Sequence, residues 1–309
     1  MKKHLSNILL LAASMLWGFA FVSQKELAVI PVLTTMSIRN MLAGLFALCA
    51  IPLMDKIQNN GRVFIQKRKV DFTKTEIFGG LACGIVLAVA STVQQAGIAE
   101  GTDAGKAAFI SAFYVLFVPI ISLFLGKRSP LGAWCGVVIA IFGFYLLCLD
   151  GDFSLALSDA TVLGGALLFS IHILLIAHFS PKCDGVRLSC IQFFVAHLIL
   201  APTALATDGL PSADILSVLP SLLFFGICSG GVAYTLQVIG QRDANPTVAS
   251  IILSLEAVFG AIGAALVLGE RMSPREYAGS AVIFVAVVIS QLDLAAIYQR
   301  LRKNKTQKG

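Results

Sequence analysis

The stretch Thr247–Gly269, TVASIILSLEAVFGAIGAALVLG, is apolar except for one charged residue, Glu256, near its middle. It is about as long as the roughly 20 residues that a helix needs to cross a bilayer. A carboxylate at bilayer depth costs about 2.5–3.5 kcal/mol on insertion scales, so it usually faces a partner, water or a bundle interior. We interpret Glu256 as a functional residue of a transmembrane helix. The alternative is a protonated side chain that only holds two helices together.

Small residues recur every four positions after Glu256, at Ala257, Ala261 and Ala265, with Gly260 beside them. Such a ladder allows a second helix to approach closely in lipid, where packing drives association. Ladders of this kind join helices within one chain or between two chains, so a homodimer is possible.

The composition indicates a membrane protein with many spans. Of the 309 residues, 57% are hydrophobic and only 13% are charged, and the mean hydropathy is +0.87. A soluble domain carries about 25% charged residues. The seven cysteines show no metal-ligand spacing, and most lie in apolar runs, so we predict neither a disulfide framework nor a metal site.

Ten apolar segments divide the chain into an all-α bundle of ten predicted transmembrane helices. Prolines fall in or next to the connectors between them. Lys2 and Lys3 precede the first segment as in a signal peptide, but no convincing cleavage site follows, so we predict a retained helix. The predicted helices cover residues 5–23, 33–54, 75–99, 104–125, 131–149, 160–179, 186–206, 215–240, 247–268 and 275–294.

The positive charges predict the orientation of the bundle. With alternating connectors, nearly every Lys and Arg falls on the side of the N-terminus, and the other side keeps Lys25, Arg271 and Arg275. This asymmetry places both termini in the cytoplasm, in a multi-pass protein of the cytoplasmic membrane. The net charge of +6 therefore indicates contact with membrane lipid, through the basic tail 298–309 above all, and not with nucleic acid.

The chain contains a weak internal repeat. A shift of about 143 residues places Ser111 on Ser254 and Gly126 on Gly269. Residues 1–149 and 150–297 then form two five-helix repeats, and an odd number of spans inserts the second repeat in the opposite direction. Inverted repeats are typical of secondary transporters, whose substrate site lies near the midplane.

Three motifs carry a family resemblance: WGFAFV at 17–22, Arg39 early in the second helix, and Leu255-Glu256 followed by a small-residue helix. Together they resemble the EamA-type branch of the drug/metabolite transporter superfamily. The resemblance implies ten helices, cytoplasmic termini, a central cavity and the movement of small metabolites, often amino acids or related solutes and frequently outward. Two departures are Lys127, where the second repeat has Glu270, and Ala257, where a proline often follows the glutamate.

Arg39 and Glu256 are the two charges best placed within the bilayer. They pair with each other, or the planar fork of Arg39 meets a substrate carboxylate. A third interpretation is that Arg39 snorkels outward to helix-end carbonyls. For Lys106, near the start of the fourth helix, we predict snorkelling.

His172 is a candidate proton carrier, because imidazole titrates near neutral pH. Its alternative role is that of a satisfied hydrogen-bond partner between helices. Other polar and aromatic residues are candidates for the lining of a cavity. These are Trp17, Gln94, Tyr114, Tyr234 and Gln237.

We predict a secondary transporter, and more specifically an exporter of small polar metabolites by alternating access. The alternatives are a drug or nucleotide-sugar-type transporter, or an integral membrane enzyme or sensor. The enzyme interpretation lacks support, since neither a His-Glu-x-x-His site nor a Gly-rich phosphate loop occurs in the sequence. We therefore predict no catalytic activity and no cofactor.

Overall fold

The computed structural model describes residues 2–59, 72–127, 129–148, 156–209, 213–267, 269, 273–290 and 292. These residues form thirteen α-helices, one π-helix and three short 3₁₀ segments, with no strand in the described ranges. The helices are α1 (Lys2–Glu26), α2 (Val32–Asn59), α3 (Lys74–Ala99), α4 (Ala104–Ser111), α5 (Tyr114–Phe124), α6 (Leu131–Cys148), α7 (Leu157–Phe179), α8 (Gly185–Thr207), α9 (Leu219–Leu223), the π-helix Phe224–Ala233, α10 (Tyr234–Gln241), α11 (Pro246–Leu253), α12 (Glu256–Val267) and α13 (Pro274–Ser290).

Eight helical stretches of the described chain are long and apolar enough to cross a membrane. Two shorter apolar helices, Leu131–Gly143 and Tyr277–Ser290, fall on the predicted fifth and tenth spans. The prediction of an all-helical, multi-pass membrane protein is confirmed, whereas the count of ten spans stays a prediction. Arg271, Glu270 and the basic tail 298–309 lie outside the described residues.

Glycines set how closely the central helices approach. A Cβ on Gly18 of α1 would lie 2.4 Å from the Cβ of Phe259 and 2.7 Å from the backbone nitrogen of Gly260. A Cβ on Gly260 would lie 2.7 Å from the Cβ of Ala108 in α4. Gly260 of α12 therefore packs within the chain, between α1 and α4.

Two membrane helices are interrupted in the middle. The first breaks between α4 and α5, and the second between α11 and α12. At each break the backbone tightens to i→i+3 hydrogen bonds, with Phe113 N donating to Ile110 O at 3.2 Å and Leu255 N donating to Ile252 O at 3.2 Å. The second break occurs although Ala257, and not proline, follows Glu256.

The two breaks occupy matching places under the shift of about 143 residues that the sequence suggests. Ser111 ends α4, and Ser254 directly follows α11. The glycines that match, Gly126 and Gly269, both adopt the left-handed backbone region, with φ of 72° and 71°. Glycine is favoured in this region because it has no Cβ.

Candidate functional site

A cavity of about 40 Å³ lies in the middle of the bundle. All eight predicted site residues line it, on seven different α-helices. At about 10–15 Å³ per water molecule it has room for about three, far less than the roughly 300–1,000 Å³ of an open ligand pocket. The lining residues are Trp17, Phe21, Gln24, Arg39, Gln94, Tyr114, Phe169, His172, Ile173, Ser229, Tyr234, Gln237 and Glu256.

The guanidinium of Arg39 lies between two aromatic rings. Its Cζ is 4.6 Å from the ring centroid of Phe225 and 5.2 Å from that of Tyr234. Desolvated cation–π contacts of this kind contribute about 2 kcal/mol. Arg39 is only 3% exposed, so it does not snorkel outward.

The stacked guanidinium keeps unused hydrogen-bonding capacity. Neither Nε nor Nη1 of Arg39 has a hydrogen-bond partner within the described protein. No ion pair joins Arg39 to Glu256 in these ranges, so the direct pairing considered from the sequence does not occur here. A buried cation with free N–H groups that faces a cavity is suited to bind an anion.

Tyr234 is the centre of an aromatic cluster. Its ring centroid lies 4.7 Å from that of Trp17, 5.8 Å from that of His172 and 5.7 Å from that of Phe193. These contacts bring α1, α7, α8 and α10 together around the ring that supports Arg39. The cluster fixes the position of the cation by packing from three sides.

The π-helix forms part of the same wall. Trp17 Nε1 donates a hydrogen bond of 3.0 Å to the backbone oxygen of Ser229 in the π-helix. Most π-helical turns are short insertions, and they occur often at functional sites. Here the segment holds both the carbonyl that Trp17 binds and the Phe225 ring that Arg39 contacts.

Glu256 is the first residue of α12, immediately after the second break, and it is 5% exposed. The positive end of a helix dipole stabilises a carboxylate at this position. Tyr114 is the first residue of α5, immediately after the first break. Its side chain lines the same cavity as Glu256, and its hydroxyl has no hydrogen-bond partner within the described chain. The two breaks thus direct an acid and a phenol into one cavity.

Some amide and imidazole atoms at the cavity form hydrogen bonds, and others have no partner in the described chain. Gln94 Nε2 donates to the Ser111 hydroxyl at 2.7 Å, which ties α3 to the first break. A hydrogen bond of 3.0 Å joins His172 Nε2 to Gln192 Oε1, as the interhelical alternative expects. His172 Nδ1 and Gln237 Oε1 lack partners within the described chain.

Six buried polar atoms without a partner in the described protein belong to residues that line this cavity. Folded proteins pair the large majority of their buried polar atoms, and each one left unpaired costs about 1–3 kcal/mol. The arrangement offers N–H donors on Arg39, a hydroxyl on Tyr114 and acceptors on Gln237 and Glu256. It can hold a small polar molecule that has a negatively charged group at one end and a positively charged or hydrogen-bond-donating group at the other.

Sequence reasoning missed several contributors to the site, among them Gln24, Phe225 and the Ser229 carbonyl. Gln24 lies seven residues after Trp17 on the same face of α1, and this helical spacing is a signal that would have found it. Phe225 and the Ser229 carbonyl depend on the π-helical geometry, for which the sequence offers only a glycine-rich stretch.

An ion-pair network lies at the end of the bundle where α1 ends. Lys106 Nζ contacts Asp159 Oδ2 at 2.6 Å, and the Thr102 hydroxyl donates to Asp159 Oδ1 at 3.1 Å. Lys25 Nζ donates to the backbone oxygen of Thr102 at 3.1 Å. The side chain of Lys106, for which we predict snorkelling, is 43% exposed, and its ammonium pairs with the buried Asp159 carboxylate near the start of α7.

A second ion-pair network lies at the opposite end. The two terminal nitrogens of Arg187 in α8 contact Asp55 of α2 at 3.0 and 2.7 Å. Glu76 of α3 accepts a hydrogen bond of 2.9 Å from the backbone nitrogen of Asp184, which precedes α8. The side chain of Arg187 is 2% exposed, so this bidentate pair is strong and specific.

No three His, Cys, Asp or Glu side chains come together as possible metal ligands in the described part of the chain. The cavity is thus built from a cation, an acid, amides and aromatic rings.

Two segments of the chain, residues 4–149 and 156–291, match the sequence model of the EamA-like transporter family. The chain belongs to this family. The EamA resemblance of the sequence motifs is confirmed. The protein is accordingly a membrane transporter of the drug/metabolite transporter superfamily.

Two curated relatives carry the name "Uncharacterized transporter". One, from Archaeoglobus fulgidus, is 32% identical over 218 residues, which cover 69% of this chain and 68% of the relative. The other, from Methanothermobacter thermautotrophicus, is 27% identical over 195 residues, which cover 61% of this chain and 57% of the relative.

The fold also recurs among solved structures. One crystal structure matches with a TM-score of 0.72 over 96% of this chain and 98% of its own chain. The sequence identity is 13%, so this likeness shows a shared fold and no more.

Proposed function

We propose that this EamA-like protein is a secondary transporter that exports a small polar metabolite across the cytoplasmic membrane through the central cavity. The observation that carries the proposal is the buried Arg39 guanidinium, stacked between Phe225 and Tyr234, with two N–H-bearing nitrogens unpartnered in the described protein. An ionisable residue within a membrane helix is a functional-site hypothesis by default. Here it lines the cavity, and it forms no ion pair with a carboxylate of the described residues.

The substrate in this proposal carries a carboxylate that binds the planar fork of Arg39. Glu256, Tyr114 and Gln237 line the same cavity and bind the donor groups of an amino acid or a related solute. Among the described residues that line the cavity, Arg39 is the one Lys or Arg. A doubly charged phosphate, as in nucleotide sugars, would need more positive charge than this.

The proposed mechanism is alternating access between two inverted five-helix repeats, residues 1–149 and 150–297, with both termini in the cytoplasm. Support comes from the two matches to one family model, the matching helix breaks and the paired left-handed glycines. Interrupted helices near a midplane site are typical of transporters built from such repeats. The breaks after Ser111 and before Glu256 are the proposed hinges.

The two ion-pair networks close the two ends of the transport path in this proposal. The Lys106–Asp159 pair lies on the proposed outer side, and the Arg187–Asp55 pair on the proposed inner side. Both are closed here, in keeping with a cavity of about 40 Å³. Each pair has to separate in turn for the substrate to enter and leave.

The test is uptake by proteoliposomes of labelled amino acids, amines and carboxylates, with and without a proton gradient. We expect saturable movement of a carboxylate-bearing solute by the wild type and strongly reduced movement by Arg39→Gln. Undiminished transport by Arg39→Gln would contradict the assigned role of Arg39. Turnover of a lipid-soluble compound without movement of any solute would instead support a membrane enzyme.

A further inference from the structure

A second concavity of about 390 Å³ opens on the outside of the bundle, between α1, the start of the π-helix and the end of α12. We name it the α1 groove. Its walls are almost entirely apolar, and Met15 and Val267 on its rim are 48% and 59% exposed. The lining residues are Met15, Leu16, Phe19, Val22, Ser23, Glu26, Pro220, Ser221, Phe224 and Val267.

Helix α1 separates this groove from the central cavity. Trp17, Phe21 and Gln24 line the cavity, whereas Phe19 and Glu26 on other faces of the helix line the groove. The groove therefore belongs to the lipid-facing surface and not to the site already described.

The length of the groove matches one leaflet of a bilayer. Met15 and Glu26 are eleven positions apart on α1, which corresponds to about 16 Å at 1.5 Å per residue. The hydrocarbon core of a bilayer is about 30 Å thick, so the groove runs from its middle to one headgroup region. An acyl chain of a single leaflet has this extent.

The outer end of the groove is acidic. Glu26 is the last residue of α1, and its carboxylate accepts a hydrogen bond from the hydroxyl of Ser221. Among the described residues that line the groove there is no Lys or Arg. A lipid headgroup at this end thus meets a carboxylate and a hydroxyl, which favour a cation that donates hydrogen bonds.

We propose that the α1 groove is a binding site for a phospholipid with a primary ammonium headgroup, such as phosphatidylethanolamine. One acyl chain lies between α1, Phe224 and Val267, and the ammonium donates hydrogen bonds to the carboxylate of Glu26. The proposal rests on the membrane-embedded fold and stands independently of the transported solute.

The experiment is native mass spectrometry of the purified full-length protein. Equimolar phosphatidylethanolamine, phosphatidylcholine and phosphatidylglycerol with identical acyl chains are offered together. We expect one phosphatidylethanolamine to be retained several-fold more strongly than either competitor. The choline headgroup is also cationic but donates no hydrogen bond, so it separates hydrogen bonding from simple charge attraction.

Two matched pairs of variants locate the site. Val267→Phe fills the groove and should remove the retained lipid, whereas Leu266→Phe, at the neighbouring residue, which is 74% exposed and outside the groove, should not. Glu26→Gln should abolish the headgroup preference, whereas Glu100→Gln, an exposed acid at the end of α3, should leave it unchanged.

Two outcomes would overturn the proposal. Equal retention of the three lipids by the wild type would refute the headgroup assignment. Equal behaviour of Val267→Phe and Leu266→Phe would show that the retained lipid lies elsewhere on the bundle.

Discussion

The indole nitrogen of Trp17 and the backbone oxygen of Ser229 are 3.0 Å apart and hydrogen-bonded, although 212 residues separate them in the chain. The bond joins α1, which packs on α12, to the π-helix, which packs on α2. It therefore connects the helix that packs against the Glu256 element with the segment that supports Arg39. Its removal is the most direct way to uncouple these two parts of the cavity.

Trp17→Phe keeps an aromatic ring against Tyr234 but removes the N–H donor. We expect the free energy of unfolding to fall by about 1 kcal/mol, because the Ser229 carbonyl loses its partner, and transport to fall several-fold. Denaturant unfolding and proteoliposome uptake measure the two effects. Trp134→Phe, on α6 away from the cavity, is the control; if it reduces uptake as much as Trp17→Phe does, the bond has no special role.

Arg39→Lys keeps the positive charge but loses the planar fork and its stacking on Phe225. We expect kcat/KM for a carboxylate-bearing solute to fall by about tenfold, equivalent to about 1.4 kcal/mol. The matched control is Arg275→Lys. The guanidinium of Arg275 also lies over an aromatic ring, 5.3 Å from the centroid of Tyr145, but this contact is at an exposed site. Unchanged uptake by Arg39→Lys would mean that charge alone suffices.

Glu256→Gln replaces the buried acid by an amide of nearly the same shape. A Gln side chain carries no titrating proton, so any part of the pH dependence of transport that comes from Glu256 should disappear. Initial uptake rates across a pH series, for the wild type and the variant, measure this. Glu100→Gln at the exposed end of α3 should retain the pH profile of the wild type. An unaltered pH profile in Glu256→Gln would indicate that Glu256 has only a structural role.

Gly18→Ala places a methyl group 2.7 Å from the backbone nitrogen of Gly260 and 2.8 Å from the backbone oxygen of Glu256. Backbone cannot move aside as a flexible side chain does, so we expect a loss of about 1–3 kcal/mol in the free energy of unfolding. Gly105→Ala in α4 meets nothing within 4 Å and should be neutral or slightly stabilising. Thermal unfolding in detergent compares the two, and equal melting temperatures would contradict the close approach of α1 and α12.

Lys106→Met removes the cation that pairs with the Asp159 carboxylate, which is 1% exposed and keeps its hydrogen bonds from Thr102 and Ala156. An unpaired buried charge is strongly destabilising, so we expect this end of the bundle to open more readily. A cysteine introduced at Gln24 should then react several-fold faster with a membrane-impermeant thiol reagent. Lys182→Met is the control, since Lys182 lies at the opposite end of α7, where its Nζ is 3.0 Å from Nε2 of His178 in an exposed contact.

Much of the helical arrangement is predictable from the sequence. Helix α3 spans Lys74–Ala99 against a predicted 75–99, and α8 spans Gly185–Thr207 against a predicted 186–206. The reason is physical: a span requires a long apolar run, and polar or proline-containing connectors delimit it. Such boundaries do not depend on which helices become neighbours.

The helix interruptions and the ionic partners were not predictable in the same way. A shift from i→i+4 to i→i+3 or i→i+5 bonding leaves the apolar pattern unchanged, so neither the break before Glu256 nor the π-helix has a clear signature. Lys106 and Asp159 are 53 residues apart in sequence, and their contact depends on the packing of α4 against α7. The candidate residues of the cavity do come together. Polar side chains at membrane depth are costly to expose to lipid, so they face the bundle interior.

The unpartnered atoms of Arg39, Tyr114, His172 and Gln237 bear on whether the protein can change conformation without a bound solute. In a carrier that closes without cargo, these atoms lose water and gain nothing in return, whereas bound cargo supplies their partners. Closure is then favoured when the site is loaded and disfavoured when it is empty. The polar lining would thereby suppress conformational cycles without solute and couple the conformational change of the protein to the transport of its solute.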